Sequence, residues 1–551
     1  MATQAANVLA KILKQEGVDW VTTFPVCCVN NALGEEGVPM IMMRDERYAV
    51  AVADAYSRVT NGTKIGVCTV MGGLNPAGLQ MAYGALAQAY EDSSPMLLIS
   101  DGVPVGAGGR GRYEIGDGLR SVCKWIGEID TPERVPEVMR RAFTLLRSGR
   151  PGPVLVTIPR ALGELDEEAH PYEPVKGWRT APDPADIKDA IGALLAAKRP
   201  LLYVGEGVYY GKAVETLRRF VDLAQVPVLS TLKAMSAFPM DHPLSVGVRG
   251  ELAAHYLHES DLILAIGTSL ASGHFRQTIP DAANKTIVHC TLDPEDVNRV
   301  YPTRHAVIGD AGLTLQAMIE ELMRRTNGEI APKTALAEEI KERKDAMLAE
   351  YRPAMDSGET PINPYRVYND LLKAVDLDKC FVTHDSGNTR DQLSTVFPAH
   401  TPRSFLGWGN VSTLGFGLAA AMAAKLANPD WQVFNVTGDA GVGYMLGNFE
   451  PLVREEIGVT TIHINNGGFA GYGPGFWGPG HDPYTCEVCE HDVTDVSEAV
   501  KAMGYYAEDV TEPSEIVPAL ERALAENARN RPAYLEIICS QYPVFGAWVT
   551  G

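Results

Sequence analysis

Long apolar runs are missing from this sequence: no stretch approaches the ~18–20 uncharged apolar residues that a helix needs to cross a bilayer. Basic charge is short as well. Lys and Arg number 48 against 69 Asp and Glu, a net charge of −21, which repels a polyphosphate backbone and favours solubility. Neither a nucleic acid nor a membrane is therefore expected as a partner. Cysteine is sparse and odd in number, nine in 551 residues. That count does not make a disulfide framework and points to a reducing cytoplasm. The start, MATQAANVLAKILKQEG, lacks the apolar core of a secretory signal and the Arg/Ser richness of a transit peptide; it reads as an amphipathic helix. Histidine is absent before His170. What is present is ordinary for a globular chain, 46% apolar and 21% charged, but too long for one core, so two to four domains are expected.

Three blocks separate by pattern. Residues 1–165 alternate apolar runs (VDWVTTF, KIGVCTV, PMLLIS, GPVLVTI) with helical spacing in RYAVAVADAYSRV and PAGLQMAYGALAQAYED. Continuous apolar runs of this length suit parallel strands buried on both faces. A polar, proline-bearing passage over 163–186 reads as a linker. Residues 187–325 repeat the alternation with PLLYVGEG, VPVLST, LILAIGTS and TIVHCTLD, and a charged helical stretch follows as a solvated connector. Residues 361–551 show it again in KCFVTHD, WQVFNVTGD, VTTIHINNGG and PAYLEIIC. The expected fold is α/β, three doubly wound parallel-sheet domains, with ligands in the turns after the strands.

The third block holds the sharpest feature. WQVFNVT ends in Gly438-Asp439-Ala440-Gly441, and VTTIHI ends in Asn465-Asn466-Gly467-Gly468. A Gly-Asp turn alone closes many strands. A carboxylate, an amide oxygen and a backbone carbonyl at two neighbouring strand ends make a hard-oxygen set suited to Mg²⁺, which is usually shared with phosphate. The glycines let backbone N–H groups approach that phosphate closely.

These paired turns resemble the GDG…NN signature of thiamine-diphosphate-dependent enzymes, with Ala440 in place of the last glycine as in the acetolactate synthase-like branch. The resemblance covers essentially the whole chain. DSGNTRDQ (385–392) resembles the diphosphate-contacting loop, WGNVSTLGFGLAAAMAAKLA (408–427) the strand and helix beside the thiazolium, and RDERYAVAVADAYSRVTNGTKIGVC the segment with the catalytic glutamate. It implies a pyrimidine-binding domain over 1–165, a central domain over 187–325 and a diphosphate-binding domain over 361–551. It implies thiamine diphosphate and Mg²⁺ as cofactors, the ion held by Asp439, Asn466 and the Gly468 carbonyl. Asn388, Thr389, Gly438, Ala440, Gly441 and Phe469 would line the cofactor, with the Ser412 backbone at the pyrimidine amine and Leu414 beneath the bent cofactor. Glu46 would hydrogen-bond the pyrimidine N1′ and start the proton relay; an isolated RDER would instead suggest a glutamate paired to Arg44 or Arg47. The implied activity is C–C bond lysis or ligation on a 2-oxo acid or related carbonyl donor. The implied assembly is at least a homodimer, with a homotetramer expected, because the glutamate and the metal turns come from different subunits.

Departures narrow the substrate. The histidines that family decarboxylases place in the first domain are absent, which argues against that subclass. The turn after the first strand is Phe24-Pro25-Val26-Cys27-Cys28-Val29-Asn30-Asn31 rather than glycine-rich. Asn30 and Asn31 there are candidate donors to a developing oxyanion, or else a helix-capping pair. Cys27 and Cys28 read as packed thiols. GTSLASG (267–273) replaces a GARFDDR-like run and SDGVP (100–104) lacks the glutamine of TGQVP, which speaks against FAD; LDPED and IGDA remain and suit an adenine nucleotide or nothing. The Asn465–Phe469 turn also resembles oxalyl-CoA decarboxylases and 2-hydroxyacyl-CoA lyases, the alternative substrate class, for which Arg110, Arg112, Arg249 and Arg276 are the available basic groups. The third alternative is a catalytically inert family member. Residues 471–491 resemble a lid over the site and carry Cys486 and Cys489 near His481 and His491, one CxxC without a second pair and so a weak zinc signal.

Overall fold

The computed structural model describes residues 2–104, 118–273, 276–328, 330–331, 333–468 and 493–549. Three parallel sheets carry the chain. The first contains β1 (Val21–Thr23), β2 (Met40–Met42), β3 (Val67–Val70), β4 (Leu97–Asp101), β5 (Trp125–Glu128) and β6 (Val154–Ile158), in the order β2-β1-β3-β4-β6-β5. The second contains β7 (Pro200–Val204), β8 (Val228–Ser230), β9 (Leu262–Ile266), β10 (Thr286–Thr291) and β11 (His305–Ile308), ordered β8-β7-β9-β10-β11. The third contains β12 (Cys380–His384), β13 (Phe405–Gly407), β14 (Gln432–Gly438), β15 (Thr460–Asn465), β16 (Tyr506–Val510) and β17 (Ala533–Ile538), ordered β13-β12-β14-β15-β17-β16. The first and third sheets share one topology. The expected three-sheet α/β architecture is therefore what the chain adopts.

In each sheet the order reverses between the first and third strands in chain order, a switch point at which ligands bind outside the strands' carboxyl ends, and in the first and third sheets it reverses again where β6 and β17 insert inside the edge strands β5 and β16. Helices Glu46–Val59 and Phe416–Ala427 pack in a single apolar core, together with helix Ala77–Glu91. Alanines dominate FGLAAAMAAKLA, so its backbone lies close to its neighbours, and residues 416–424 are all buried. This packing ties the first sheet to the third. Between residues 163 and 183 the chain is mostly without helix or strand, apart from Glu164–Asp166, which pairs antiparallel with Ala2–Gln4. The charged stretch forms helix Thr334–Met355, of which Ile340, Tyr351, Ala354 and Met355 are buried.

Candidate functional site

Register sets the site. Gly438 at the end of β14 pairs with Ile464 of β15, which brings Asp439 level with Asn465 and beside the turn that begins at Asn466. The side-chain amide of Asn466 faces Asp439 Oδ2 at 3.1 Å and the Gly468 carbonyl oxygen at 3.3 Å. Turned one way its nitrogen donates to both oxygens; turned the other way its oxygen joins them as a third acceptor, the arrangement a cation between them would hold. Cis oxygens around an octahedral ion with ~2.1 Å bonds stand about 3 Å apart, so the donor set fits a small hard divalent ion. Asp439 also accepts from the Asn466 N–H (3.2 Å), and its Oδ1 accepts from His463 Nε2 (3.2 Å).

No sequence motif singles out His463. It is buried behind Asp439, with Tyr534 Oη 2.8 Å from Nδ1 and Glu536 3.6 Å away. Burial pulls its pKa down, but the hydrogen bonds to Asp439 and Glu536 carry it above the ordinary value. The available signal is a polar residue in the otherwise apolar run Ile462–Ile464.

The diphosphate end is built at the turn after β12. Gly387 adopts φ +92°, which a residue with a side chain takes only under strain, and opens helix Asn388–Val396. A helix N-terminus favours an anion. The Thr389 hydroxyl lies buried there without a hydrogen-bond partner among the described residues. A phosphate oxygen would supply one. Asn388 sits beside it at the first helical position. Asp385 braces the turn from below, accepting from the N–H groups of Ser386, Gly415 and Gly417. A Cβ on Gly441 would meet Thr437 Oγ1 at 2.2 Å and Asp385 Cγ at 2.9 Å, so glycine is needed for this approach. Ala440 is half-buried in the same helix turn. Ser412 is exposed, its hydroxyl 3.0 Å from that of Ser386, and Leu414 is half-buried. Phe469, the Cys486/Cys489 pair, His481, His491, Arg110 and Arg112 lie outside the described residues.

Glu46 begins helix Glu46–Val59, whose N-cap Asp45 accepts from the Tyr48 N–H (2.8 Å). The glutamate is buried, yet no side-chain hydrogen bond or ion pair among the described residues reaches its carboxylate. Its flanking arginines are engaged elsewhere. Arg44 pairs with Glu450 (3.0 Å), and Arg47 donates to the Leu414 carbonyl (3.1 Å) and stacks over Tyr444. The salt-bridged alternative is therefore not what the chain forms. Gly78 leaves room for the carboxylate: a Cβ there would stand 3.2 Å from Glu46 Oε1 and 2.7 Å from the Met71 carbonyl oxygen.

The two asparagines of the β1 turn differ. Asn30 accepts from Thr69 (2.9 Å) and donates to Thr23 (3.1 Å) and the Pro25 carbonyl (3.3 Å), so its amide is spent on the turn. Asn31 is exposed. Neither caps the helix that starts there, because Val29 occupies the N-cap.

A second cavity, about 630 Å³, opens at the switch point of the second sheet, lined by Gly205, Gly267, Asp293, Asp310, Arg276 and Trp178 among others. Arg276 is thus placed for an anionic ligand. Arg249 is not: it is buried, donates to the Gly546 carbonyl, pairs with Asp391 and stacks on Trp548.

Comparisons with known proteins agree along the chain. Residues 3–119 match the family described as "Thiamine pyrophosphate enzyme, N-terminal TPP binding domain", residues 187–318 the central domain, and residues 385–537 the C-terminal TPP binding domain. A probable acetolactate synthase large subunit of Methanocaldococcus jannaschii is 30% identical over 97% of this chain and 92% of its own length. The acetolactate synthase large subunit of Parasynechococcus marenigrum is 32% identical over 84% and 76%. A glyoxylate carboligase of Escherichia coli O157:H7 is 28% identical over 97% and 93%.

Proposed function

We propose, from the premise that this chain belongs to the thiamine pyrophosphate enzyme family in its acetolactate synthase-like branch, that it joins a 2-oxo acid, after loss of carbon dioxide, to a second small carbonyl compound. The observation that carries this reading is the convergence of the Asp439 carboxylate, the Asn466 amide and the Gly468 carbonyl, together with the buried, unpartnered Thr389 hydroxyl at the start of helix Asn388–Val396. Mg²⁺ is the ion, held by those three oxygens. Asn388, Thr389 and the N–H groups near Gly438, Ala440 and Gly441 take the diphosphate. When bound, thiamine diphosphate would supply the nucleophilic carbon that this chemistry requires.

The chain's own groups do the rest. Glu46 exchanges a proton with the pyrimidine N1′, a role that suits a buried carboxylate with no competing partner. Leu414 would support the cofactor, and the Ser412 backbone would receive its pyrimidine amine. Of the asparagine pair, exposed Asn31 is the one free to donate to an oxyanion, while Asn30 fixes the turn.

The working unit is at least a homodimer. Helix Ala77–Glu91, which packs beside Glu46, turns Met81, Tyr83 and Tyr90 to solvent, with Leu74 just before it and Tyr444 and Leu446 also exposed. An apolar surface of that extent suits a second copy, and a dimer of dimers gives the tetramer. The seven cysteines among the described residues are free thiols, which accords with the cytoplasm. The cleft of the second sheet takes an adenine nucleotide rather than FAD.

The test is incubation with thiamine diphosphate and Mg²⁺ against a panel of 2-oxo acids, aldehydes and acyl-CoAs, with product identification. Carbon dioxide and a 2-hydroxy-ketone product from a 2-oxo acid support the reading. Turnover confined to acyl-CoAs would overturn it in favour of the thioester class, and no turnover of any member would favour an inert protein.

A further inference from the structure

Cys27 and Cys28 lie in the turn after β1, and Asp101 ends β4, both at the carboxyl ends of the strands of the first sheet. One ligand atom from each of the three lies within 4.8 Å of the other two. In tetrahedral geometry two Zn–S bonds of about 2.3 Å set the sulfurs about 3.8 Å apart, so an ion could be enclosed with side-chain movements of at most about an ångström.

The carboxylate is already oriented. Asp101 Oδ1 accepts from the Cys28 N–H (2.8 Å), which ties the turn to the strand, and Oδ2 accepts from the Gly72 N–H (3.4 Å). Its ion pair, to Arg160 Nε at 3.3 Å, is with a largely exposed side chain that can swing into solvent. Cys27 is 7% and Asp101 4% exposed, while Cys28 is half-buried, leaving a path for an ion. Cysteine side chains packed only as apolar filling do not converge on a buried carboxylate.

We infer that Cys27, Cys28 and Asp101 form a binding site for a thiophilic divalent cation such as zinc, with the fourth coordination position open to a small ligand. Two thiolates select a soft or borderline ion, whereas the all-oxygen set at Asp439 selects a hard one, so the two sites do not compete. Hydrogen bonding with Cys27 and burial hold the Cys28 thiol above its ordinary pKa. Each thiol that binds as a thiolate gives up its proton, so binding exchanges one divalent cation for two thiol protons, with no change of oxidation state. The other three-residue cluster among the described residues, Asp495, Asp509 and Glu536, is wholly acidic and carries no such argument.

The test uses the full-length protein with thiamine diphosphate and Mg²⁺ present, stripped of other metals by a chelator. Cys486→Ser and Cys489→Ser form the background, so that this second pair contributes no thiolate. Titration with Co²⁺ should give a single equivalent per chain with a thiolate-to-cobalt charge-transfer band, and zinc should displace it. Cys27→Ser/Cys28→Ser should abolish the band, and Asp101→Asn should weaken binding by about ten-fold or more. Proton release on binding should be close to two per ion. A missing band in the background protein, or one that survives Cys27→Ser/Cys28→Ser, would overturn the site. Unchanged affinity in Asp101→Asn would remove the carboxylate from it. If the double variant fails to fold, the single Cys27→Ser and Cys28→Ser variants replace it: each should lose most of the band, and a band kept in full by both would overturn the site.

Discussion

Arg44 and Arg47 stand on either side of Glu46, yet each has found another partner, Glu450 for one and the Leu414 carbonyl for the other. The glutamate is left buried with its carboxylate uncommitted. Glu46→Gln keeps the shape and removes the exchangeable charge, so kcat should fall by about 10²–10⁴-fold while cofactor affinity stays within a few-fold. Calorimetric titration of the cofactor beside steady-state kinetics checks this; full activity would remove the assigned role. His463 gives the complementary case. It orients Asp439 without touching the ion, so His463→Gln should weaken Mg²⁺ binding by about 10–100-fold, and saturating Mg²⁺ should restore most of kcat. Asp439→Ala should lose the cofactor altogether. Asp439 and Asn466 stand out as candidates in the sequence because strand ends announce themselves through glycine and because oxygen donors are few residue types. His463 was not, since its partners lie on other strands. Nor could adjacent identical asparagines be told apart: only tertiary contacts with Thr23 and Thr69 show that Asn30 is spent.

Elements were legible wherever a strand lies in the interior of its sheet. The apolar runs of the sequence correspond to β1, β3, β4, β6, β7, β9, β10, β12, β14, β15 and β17, and to one edge strand, β8. The strands that no apolar run announced are β2, β5, β11, β13 and β16, and every one of them is a sheet edge. The edges WIGE of β5 and YAEDV of β16 meet solvent on one side; β16 has only Val510 buried, and β5 only Gly127. Their apolar content is correspondingly low. A different element-scale constraint is Gly78, in the first turn of helix Ala77–Glu91. An added methyl would collide with the Met71 backbone and crowd the Glu46 carboxylate. Gly78→Ala should therefore cost about 1–3 kcal/mol of stability and lower kcat together, measured by urea denaturation and by the coupling assay. Gly84, which faces open space on the same helix, should accept alanine with no loss of folding stability, and that contrast separates crowding from helix propensity.

At the scale of the molecule, one buried charge network joins all three sheets' domains. Arg58 and Asp92 from the first meet Glu206 and Lys233 from the second, and Arg403 from the third pairs with Glu206 (2.9 Å). Asp92 also accepts from the N–H groups of Gly409 and Asn410, which lead into the Ser412 loop. No local sequence pattern could reveal a network whose members are separated by hundreds of residues. Removing Arg58 leaves three acids with too few cations in a dry setting, so Arg58→Leu should cost about 3–5 kcal/mol, read from the denaturation midpoint. Asp54, 3.8 Å from Arg58, gives the network a pH signature. Burial raises its pKa from 3.8 to about 6 despite the pull of Arg58. The folded state then binds the proton more tightly than the unfolded chain, so this contribution is full below the ordinary pKa and is lost as pH rises through about 6. Asp92 and Glu206 are shifted the other way, and their contributions are lost only as pH falls below the ordinary carboxylate range. The two windows do not overlap. Relative to Asp54→Asn, which has no such proton to lose, the wild-type chain should therefore lose roughly 1.4 kcal/mol of stability between about pH 5 and pH 7.5. Paired denaturation curves at the two ends of that interval decide it: a stability difference that stays flat would mean that Asp54 remains ionised throughout, held by Arg58 more strongly than burial opposes it.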